Sequence, residues 1–288
     1  MVNMKIEGLT AKELKEVAEK VVTVSTAVGV KLLRRQRKLS DLKISTKEAQ
    51  GVVSNADVEA ENFLIKNLKP LIEEAEFLAE ESAFKAYGSK KDSLKKYKEK
   101  KFVWIIDPLD GTTNYLNNMD YFGVCICLAY YGEPVLGIVH RPATNETYCA
   151  IKGKGAFLIN THGKKTRLKL VTNKKRLKDS LLVTGFACEK GEVFNKEFSI
   201  FKNMMKKSRG IRRMGSAALD ICLVSQGIFD SFWERGLSPW DVAAASLILE
   251  ESGGVVTNYN GRAFHPFQET IVGSNESIHK QVLAVIKS

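Results

Sequence analysis

Apolar residues at Leu14, Val17, Ala18, Val21, Val22, Val28 and Leu32 recur three and four positions apart, which predicts a long amphipathic helix with one buried face. Thr10 followed by Glu13 has capping-box spacing and places the helix start just beyond Thr10. A second helical pattern covers residues 58–68 and stops before Pro70, which cannot continue it. Asn55-Ala56-Asp57 precedes it, so Asp57 is expected in or near its first turn. Phe77-Leu78-Ala79 reads as a short buried strand ending in Glu80-Glu81-Ser82, and residues 102–106 as another running straight into Asp107-Pro108-Leu109-Asp110-Gly111-Thr112-Thr113-Asn114.

From 121 to 160 the pattern is strand-like, with turns at Gly132-Glu133-Pro134 and residues 142–145, as in antiparallel meanders. Beyond it strands (181–185, 228–233, 255–259) alternate with helices (194–207, 215–226, 241–252), and a last helix starts near Ser277. Asn260-Gly261 makes a tight turn. The order implies an α+β first half and a more α/β second half sharing a cleft, with a division near residue 150 into segments 1–150 and 151–288.

Composition narrows this little. At 288 residues, 44% hydrophobic and 27% charged with six prolines, the chain can bury a core without disulfides and is not expected to be disordered. Five cysteines, at 125, 127, 149, 188 and 222, form no C-x-x-C pair and read as reduced core thiols; Cys125 and Cys127 share one strand face. The opening Met-Val-Asn-Met-Lys does not begin a signal peptide and no apolar run approaches the ~20 residues of a membrane span, so a cytoplasmic location is expected. His140, His162, His265 and His279 lack metal-ligand spacing and are expected at surface or turn positions. A net charge of +11 would concentrate anions, whether small phosphates or nucleic acid. Its two densest stretches, residues 85–101 and 202–213, read as a solvated loop and a solvated helix face.

The candidate chemistry lies where strands meet loops. In Asp107-Pro108-Leu109-Asp110 two carboxylates three apart can face one point across a proline-fixed turn, with the Leu109 carbonyl free to join them. Hard divalent cations take such oxygens in preference to imidazole or thiolate, and phosphate monoester hydrolysis needs cations to activate water and shield the leaving alkoxide. Gly111 permits close backbone approach, and Thr112-Thr113-Asn114 can open a helix whose N–H groups suit phosphate. Alone, D-P-x-D is equally a turn with capping aspartates, and Asp241 in Ser238-Pro239-Trp240-Asp241 is equally a helix cap.

Together, Glu80-Glu81-Ser82, the run from Trp104 through Asp107-Pro108-Leu109-Asp110-Gly111-Thr112-Thr113-Asn114-Tyr115, and Trp240-Asp241-Val242-Ala243-Ala244-Ala245 closed by Gly253-Gly254 resemble the inositol monophosphatase family, the Mg²⁺-dependent, lithium-sensitive type of phosphatase, over nearly the whole chain. Ala79 stands where that family commonly has glycine. The resemblance implies a layered αβαβα sandwich of the sugar-phosphatase type, with the metal site in 1–150 and substrate contacts in 151–288. It implies that Glu80, Asp107, Asp110, Asp241 and the Leu109 carbonyl hold two to three Mg²⁺ ions. It also implies that Thr112, supported by Asp57, orients the attacking water, and that Gly111 and Thr112 give N–H groups to phosphate. For the substrate it points further to Arg212, Gly215, Ser216, Ala217 and Glu234, beside Glu80, Asp110 and Asp241; Glu234 and Arg212 also have plain surface readings. Either Lys43 or Lys47 could supply a metal-site lysine. The implied substrate is myo-inositol-1-phosphate, with fructose-1,6-bisphosphate, histidinol phosphate or a 3′-phosphoadenosine nucleotide as alternatives. A homodimer is expected by family analogy. Some bacterial relatives act in ribosomal RNA transcription, so an RNA or transcription-complex partner is a further, non-enzymatic expectation.

Overall fold

A computed structural model describes residues 6–42, 44–47, 51–88, 91–170, 176–186 and 191–288. Lys43, the side chain of Lys47, and Cys188 lie outside what is described. In chain order the elements are α1 (Ala11–Gln36), β1 (Ile44–Lys47), β2 (Gly51–Ser54), α2 (Asn55–Leu68), β3 (Glu76–Ala79), α3 (Glu80–Tyr87), β4 (Phe102–Asp110), α4 (Thr112–Leu116), β5 (Gly123–Tyr130), β6 (Glu133–Arg141) and β7 (Glu146–Ile151). There follow β8 (Gly155–Ile159), β9 (Lys165–Leu168), β10 (Leu181–Thr184), α5 (Glu192–Lys207), β11 (Gly210–Arg212), α6 (Ala217–Ser225), β12 (Ser231–Arg235), α7 (Pro239–Glu251), β13 (Val255–Thr257), β14 (Thr270–Ser274) and α8 (Glu276–Ile286).

Strands β3 to β9 form one sheet in sequence order, parallel between β3 and β4 and antiparallel thereafter. A second sheet runs β11-β10-β12-β14-β13, parallel across its first three strands. Helices α1 and α2 cover one face of the first sheet through Val21, Leu32, Leu64, Trp104 and Ile106. On its other face lie α6 and α7, which also pack on the second sheet through Ile221, Phe232 and Ile248. Beyond that sheet, α5 and α8 bury Ile200, Met204, Trp233 and Val282. The result is five layers, αβαβα. Sandwiched between two sheets, α7 buries every residue from Val242 to Leu249, as a helix apolar all round must. Its alanines let it approach closely: a Cβ on Gly137 would lie 2.5 Å from the Ala244 carbonyl.

The first helix has the expected capping box, with Glu13 N donating to Thr10 Oγ1 and Thr10 N to Glu13 Oε2. Residue 150 falls inside β7, and the change of sheet comes between Leu168 and Leu181, because the meander continues through two more strands. Residues 85–101 are not a plain loop: α3 extends to Tyr87, and the 3₁₀ segment Lys91–Glu99 anchors on buried Leu94 and Tyr97. The four described cysteines are free and buried.

Two histidines expected at the surface are in fact buried. His140 shares a 2.9 Å hydrogen bond with Thr147 Oγ1, and His279 lies between Thr257 Oγ1 and Ser274 Oγ at 2.9 and 2.7 Å. Hydroxyl partners let a neutral ring sit in a core without metal-ligand spacing. Burial pushes both pKa values down to about 4. The unfolded chain therefore takes up protons from about pH 6.5 downward while the folded chain does not, and stability is lost as pH falls through that window; for His140 alone the full loss is on the order of 3 kcal/mol. The urea midpoint of His140→Asn should accordingly fall less between pH 6.5 and 4.5 than that of the wild type, and identical slopes would show that the ring carries no such linkage.

Candidate active site

Because β3 and β4 are parallel neighbours with Ala79 opposite Ile106, their ends place Glu80 beside Asp107. A register shift against β5 between Asp107 and Asp110 turns the strand end, and Gly111 then adopts φ +94° to start α4. No side chain fits there readily: a Cβ would meet the Tyr121 and Gly215 carbonyls at 3.1 and 3.2 Å. Asp107 Oδ1 accepts from Leu109 N at 2.9 Å. Asp110 Oδ2 accepts from Ser216 Oγ at 2.5 Å and Ala218 N at 2.9 Å, so a carboxylate of the first sheet caps α6 beneath the second. That bond brings Gly215, Ser216 and Ala217 to the end of β4. Asn114 reinforces it, its Nδ2 donating to the Tyr121 and Met214 carbonyls.

Asp57 occupies the third position of α2, where Oδ2 accepts from Ser54 N at 2.8 Å and Ser54 Oγ at 2.7 Å. Its other oxygen, Oδ1, accepts from Thr112 Oγ1 at 3.0 Å, while Thr112 Oγ1 also lies 3.0 Å from the Leu109 carbonyl. Asp241 plays the same capping part in α7, with Oδ2 accepting from Ser238 N at 2.6 Å. Asp57 and Asp241 thus cap the first turns of α2 and α7.

Their charges show that they gather with the other acids. Burial holds Asp107 well above the usual carboxylate range, and Glu80, Asp110 and Asp241 push it further. Asp110 is raised by burial to about 6, against the lowering bonds from α6. Burial raises Asp57, and Glu80 adds to it. Glu234, buried at the end of β12, is held well above its ordinary range by burial first, then by Asp241, Asp220 and Asp110, with Arg213 acting the other way. Carboxylates up to 184 positions apart, Asp57 to Asp241, thus belong to one acidic region.

Arg212 lies exposed on edge strand β11 with Nη1 on the neighbouring Ile211 carbonyl at 3.1 Å. The guanidinium that acts on Glu234 is that of Arg213, which stands over the Phe186 ring at 5.9 Å. Residues not singled out from sequence complete the arrangement. Glu61, one turn after Asp57 on the same face of α2, accepts from Glu81 N at 2.7 Å and Ser82 N at 2.9 Å and so fixes the start of α3, where Glu80 sits. Its i+4 spacing from Asp57 was the available signal. Gly185 makes room for the Glu234 carboxylate, since a Cβ there would overlap it; nothing local in the sequence marks that need. Asp220 accepts from Tyr121 OH at 2.6 Å behind Asp110.

Among the described residues, no three acidic, histidine or cysteine side chains form a ready-made metal cage as they stand. The donor set nevertheless fits a hard divalent cation: it is all carboxylate and carbonyl oxygen, and the charges acting most on Asp107 are all negative, which a cation would relieve.

Fold and site define the class, a layered αβαβα phosphatase. Residues 13–288 match the model of the inositol monophosphatase family. The inositol-1-monophosphatase of Caulobacter vibrioides is 37% identical over 262 residues, covering 89% of this chain and 95% of that one. The Nus factor SuhB of Pseudomonas aeruginosa is 32% identical over 266 residues, covering 91% and 92%. Among solved structures, the extragenic suppressor protein SuhB of Bartonella henselae superposes with a TM-score of 0.80 at 30% identity, covering 96% of this chain and 98% of that one. The chain belongs to the inositol monophosphatase family and is a phosphoric monoester hydrolase. Among the described residues no helix is long and apolar enough to cross a membrane.

Proposed function

We propose that this enzyme hydrolyses myo-inositol-1-phosphate, or a polyol monophosphate of similar shape, to the alcohol and inorganic phosphate with two to three Mg²⁺ ions. The observation that carries this reading is the Thr112 hydroxyl held between Asp57 Oδ1 and the Leu109 carbonyl, each at 3.0 Å. Both neighbours are acceptors, so the single Thr112 proton is committed to one of them. With its proton so committed, the hydroxyl keeps both lone pairs as acceptors for a water proton, which orients that water with its own lone pair turned outward. Asp57, held from the other side by Ser54, keeps Thr112 in that sense.

Glu80, Asp107, Asp110, Asp241 and the Leu109 carbonyl would hold the ions. When bound, Mg²⁺ supplies a lowered water pKa and neutralises charge on phosphoryl and leaving oxygens. Backbone N–H groups of Gly111 and Thr112 would receive phosphate oxygens. Glu234, buried beside Gly185 with Arg213 near, would bond the alcohol's hydroxyl groups, since a carboxylate pairs with several hydroxyl donors. The basic segment before β4 does not favour a nucleic-acid reading: Lys95, Lys100 and Lys101 are paired with Asp92, Glu76 and Glu74.

The test is a panel of myo-inositol-1-phosphate, fructose-1,6-bisphosphate, histidinol phosphate and a 3′-phosphoadenosine nucleotide, run on chelator-treated protein with and without Mg²⁺. Inositol phosphate should lead in kcat/KM by about tenfold or more, the scale that one or two hydroxyl contacts confer. A different leading substrate removes the substrate assignment, and full activity after chelation removes the Mg²⁺ assignment.

A further inference from the structure

Glu234 sits one residue from the end of β12, and beyond Arg235 the chain leaves the sheet toward Asp241. Open clefts border this strand end. A cavity of about 500 Å³ lies on one side, bordered by Lys196, Ile200, Tyr259 and Ile286, and one of about 1090 Å³ on the other, bordered by Leu94, Lys98, Leu237 and Phe267. Arg235 and Glu269 border both. The backbone ladder with β14 reaches this strand end, pairing Glu234 with Ile271 and Arg235 with Thr270, and polar side-chain ties add to it.

Those ties converge on Arg235. Strand alternation turns Phe232 into the core between the sheets and Trp233 into the core under α5 and α8; Glu234 follows the first direction and Arg235 the second. There Arg235 Nε donates to Glu197 Oε1 at 3.1 Å and Nη1 to Glu269 Oε2 at 2.8 Å. Glu197, on α5, is itself buried, and its second oxygen accepts from Tyr259 OH at 2.9 Å. Gly236 N adds one bond to the Glu269 carbonyl at 2.8 Å. A buried carboxylate with donors on both oxygens has little freedom, and neither does a guanidinium forked between two carboxylates. The network clamps α5, the end of β12 and the segment before β14 into one unit directly behind Glu234.

We propose that Glu197 and Arg235 are positioning residues that set the alcohol selectivity of the active site, by fixing the strand end from which Glu234 reaches the substrate. The inference rests on the reading that Glu234 meets the alcohol. Neither residue touches the phosphate side, so loosening the clamp should spoil recognition of a polyol and spare an ester without hydroxyl groups.

The experiment compares kcat/KM for myo-inositol-1-phosphate and p-nitrophenyl phosphate in Glu197→Ala, Arg235→Met, Glu197→Gln and Glu234→Gln. In the first two, the ratio should fall about tenfold, mostly through KM for the inositol ester, with p-nitrophenyl phosphate within about twofold of wild type. Glu197→Gln keeps an acceptor for Arg235 and should restore most of the ratio. Should Glu197→Ala fail to fold, Arg235→Met decides, with Glu269→Ala as a surface variant expected to show a smaller fall. An unchanged ratio, or an equal fall on both esters, overturns the positioning role while leaving the phosphatase reading intact. A ratio that Glu234→Gln leaves unmoved sinks the assignment of Glu234 to the alcohol, and this inference with it.

Discussion

Asp241→Asn is expected to lower kcat/KM on a phosphate monoester by about a thousandfold, equivalent to about 4 kcal/mol of transition-state stabilisation, and to raise the melting temperature of the metal-free protein. The two effects share one cause. Asp241 adds negative charge to a buried region where Asp107 and Glu234 already sit well above their ordinary pKa values, partly because of it. In metal-free protein that repulsion is uncompensated. The sign follows from Asp110, whose pKa of about 6 in the fold exceeds its value of 3.8 in the unfolded chain: its stabilising proton is bound below pH 4 and lost as pH rises through 6. At pH 7 these carboxylates therefore destabilise the fold, and neutralising one relieves the others. Asparagine keeps an acceptor oxygen for Ser238 N, so the α7 cap survives and the gain is not masked. Added Mg²⁺ should raise the melting temperature of the wild type by several degrees and that of the variant far less, through preferential binding to the folded state. A variant with undiminished hydrolysis, or one whose metal-free form melts lower, would show that Asp241 is a helix cap and nothing more.

Helix starts were legible because capping residues advertise themselves locally. Thr10 with Glu13 announces itself at three-residue spacing and the box forms, whereas at α7 the cap expected at Asp241 is Ser238, with Asp241 at the third helical position. The end of β3 was legible, its apolar run stopping at Glu80, whereas β4 continues past the apolar run 102–106 through Asp107 to Asp110, because it stays paired with β5 beyond the acids. The layers were expected from the family resemblance alone, and α7 shows why they form: apart from Ser246, its buried stretch from Val242 to Leu249 is apolar and has no polar face to offer solvent. What stayed hidden depends on partners far along the chain. β9 pairs with β8 through exposed, basic residues that alternate too weakly to read as a strand, and β14 at residues 270–274 is defined by its antiparallel fit to β12. His140 meets the Thr147 hydroxyl across β6 and β7, and His279, on α8, meets the Thr257 and Ser274 hydroxyls of β13 and β14; none of these partners is marked locally in the sequence. Gly185 matters only because Glu234, 49 positions later, needs its space. Arg212 and Arg213 are adjacent, and only the fold shows which of the two guanidinium groups acts on Glu234.

Thr112→Ala should lower kcat by about a hundredfold with KM nearly unchanged, the scale of losing one group that aligns a proton in the transition state. Thr112→Ser keeps the hydroxyl and should keep most of the rate. The more telling variant is Asp57→Asn. Ser54 presents two donors, its N–H and its hydroxyl, to Asp57 Oδ2, so an asparagine must turn its single acceptor oxygen toward Ser54 to preserve the α2 cap. Its NH₂ group then faces Thr112, and the Thr112 hydroxyl becomes an acceptor there while donating to the Leu109 carbonyl. One of the hydroxyl's two lone pairs is then taken by the asparagine and its proton is fixed on Leu109, so the direction in which it can receive a water proton shifts, although one oxygen has merely been exchanged for an NH₂ group and the helix is still capped. Asp57→Asn should therefore fold as the wild type does, judged by circular dichroism and melting temperature, yet lose rate to the same extent as Thr112→Ala. Because both lesions act through one hydroxyl, the double variant should be no slower than either single one. Additive losses in that cycle would mean that Asp57 and Thr112 act on the reaction separately, and the water-orienting role of the pair would have to be abandoned.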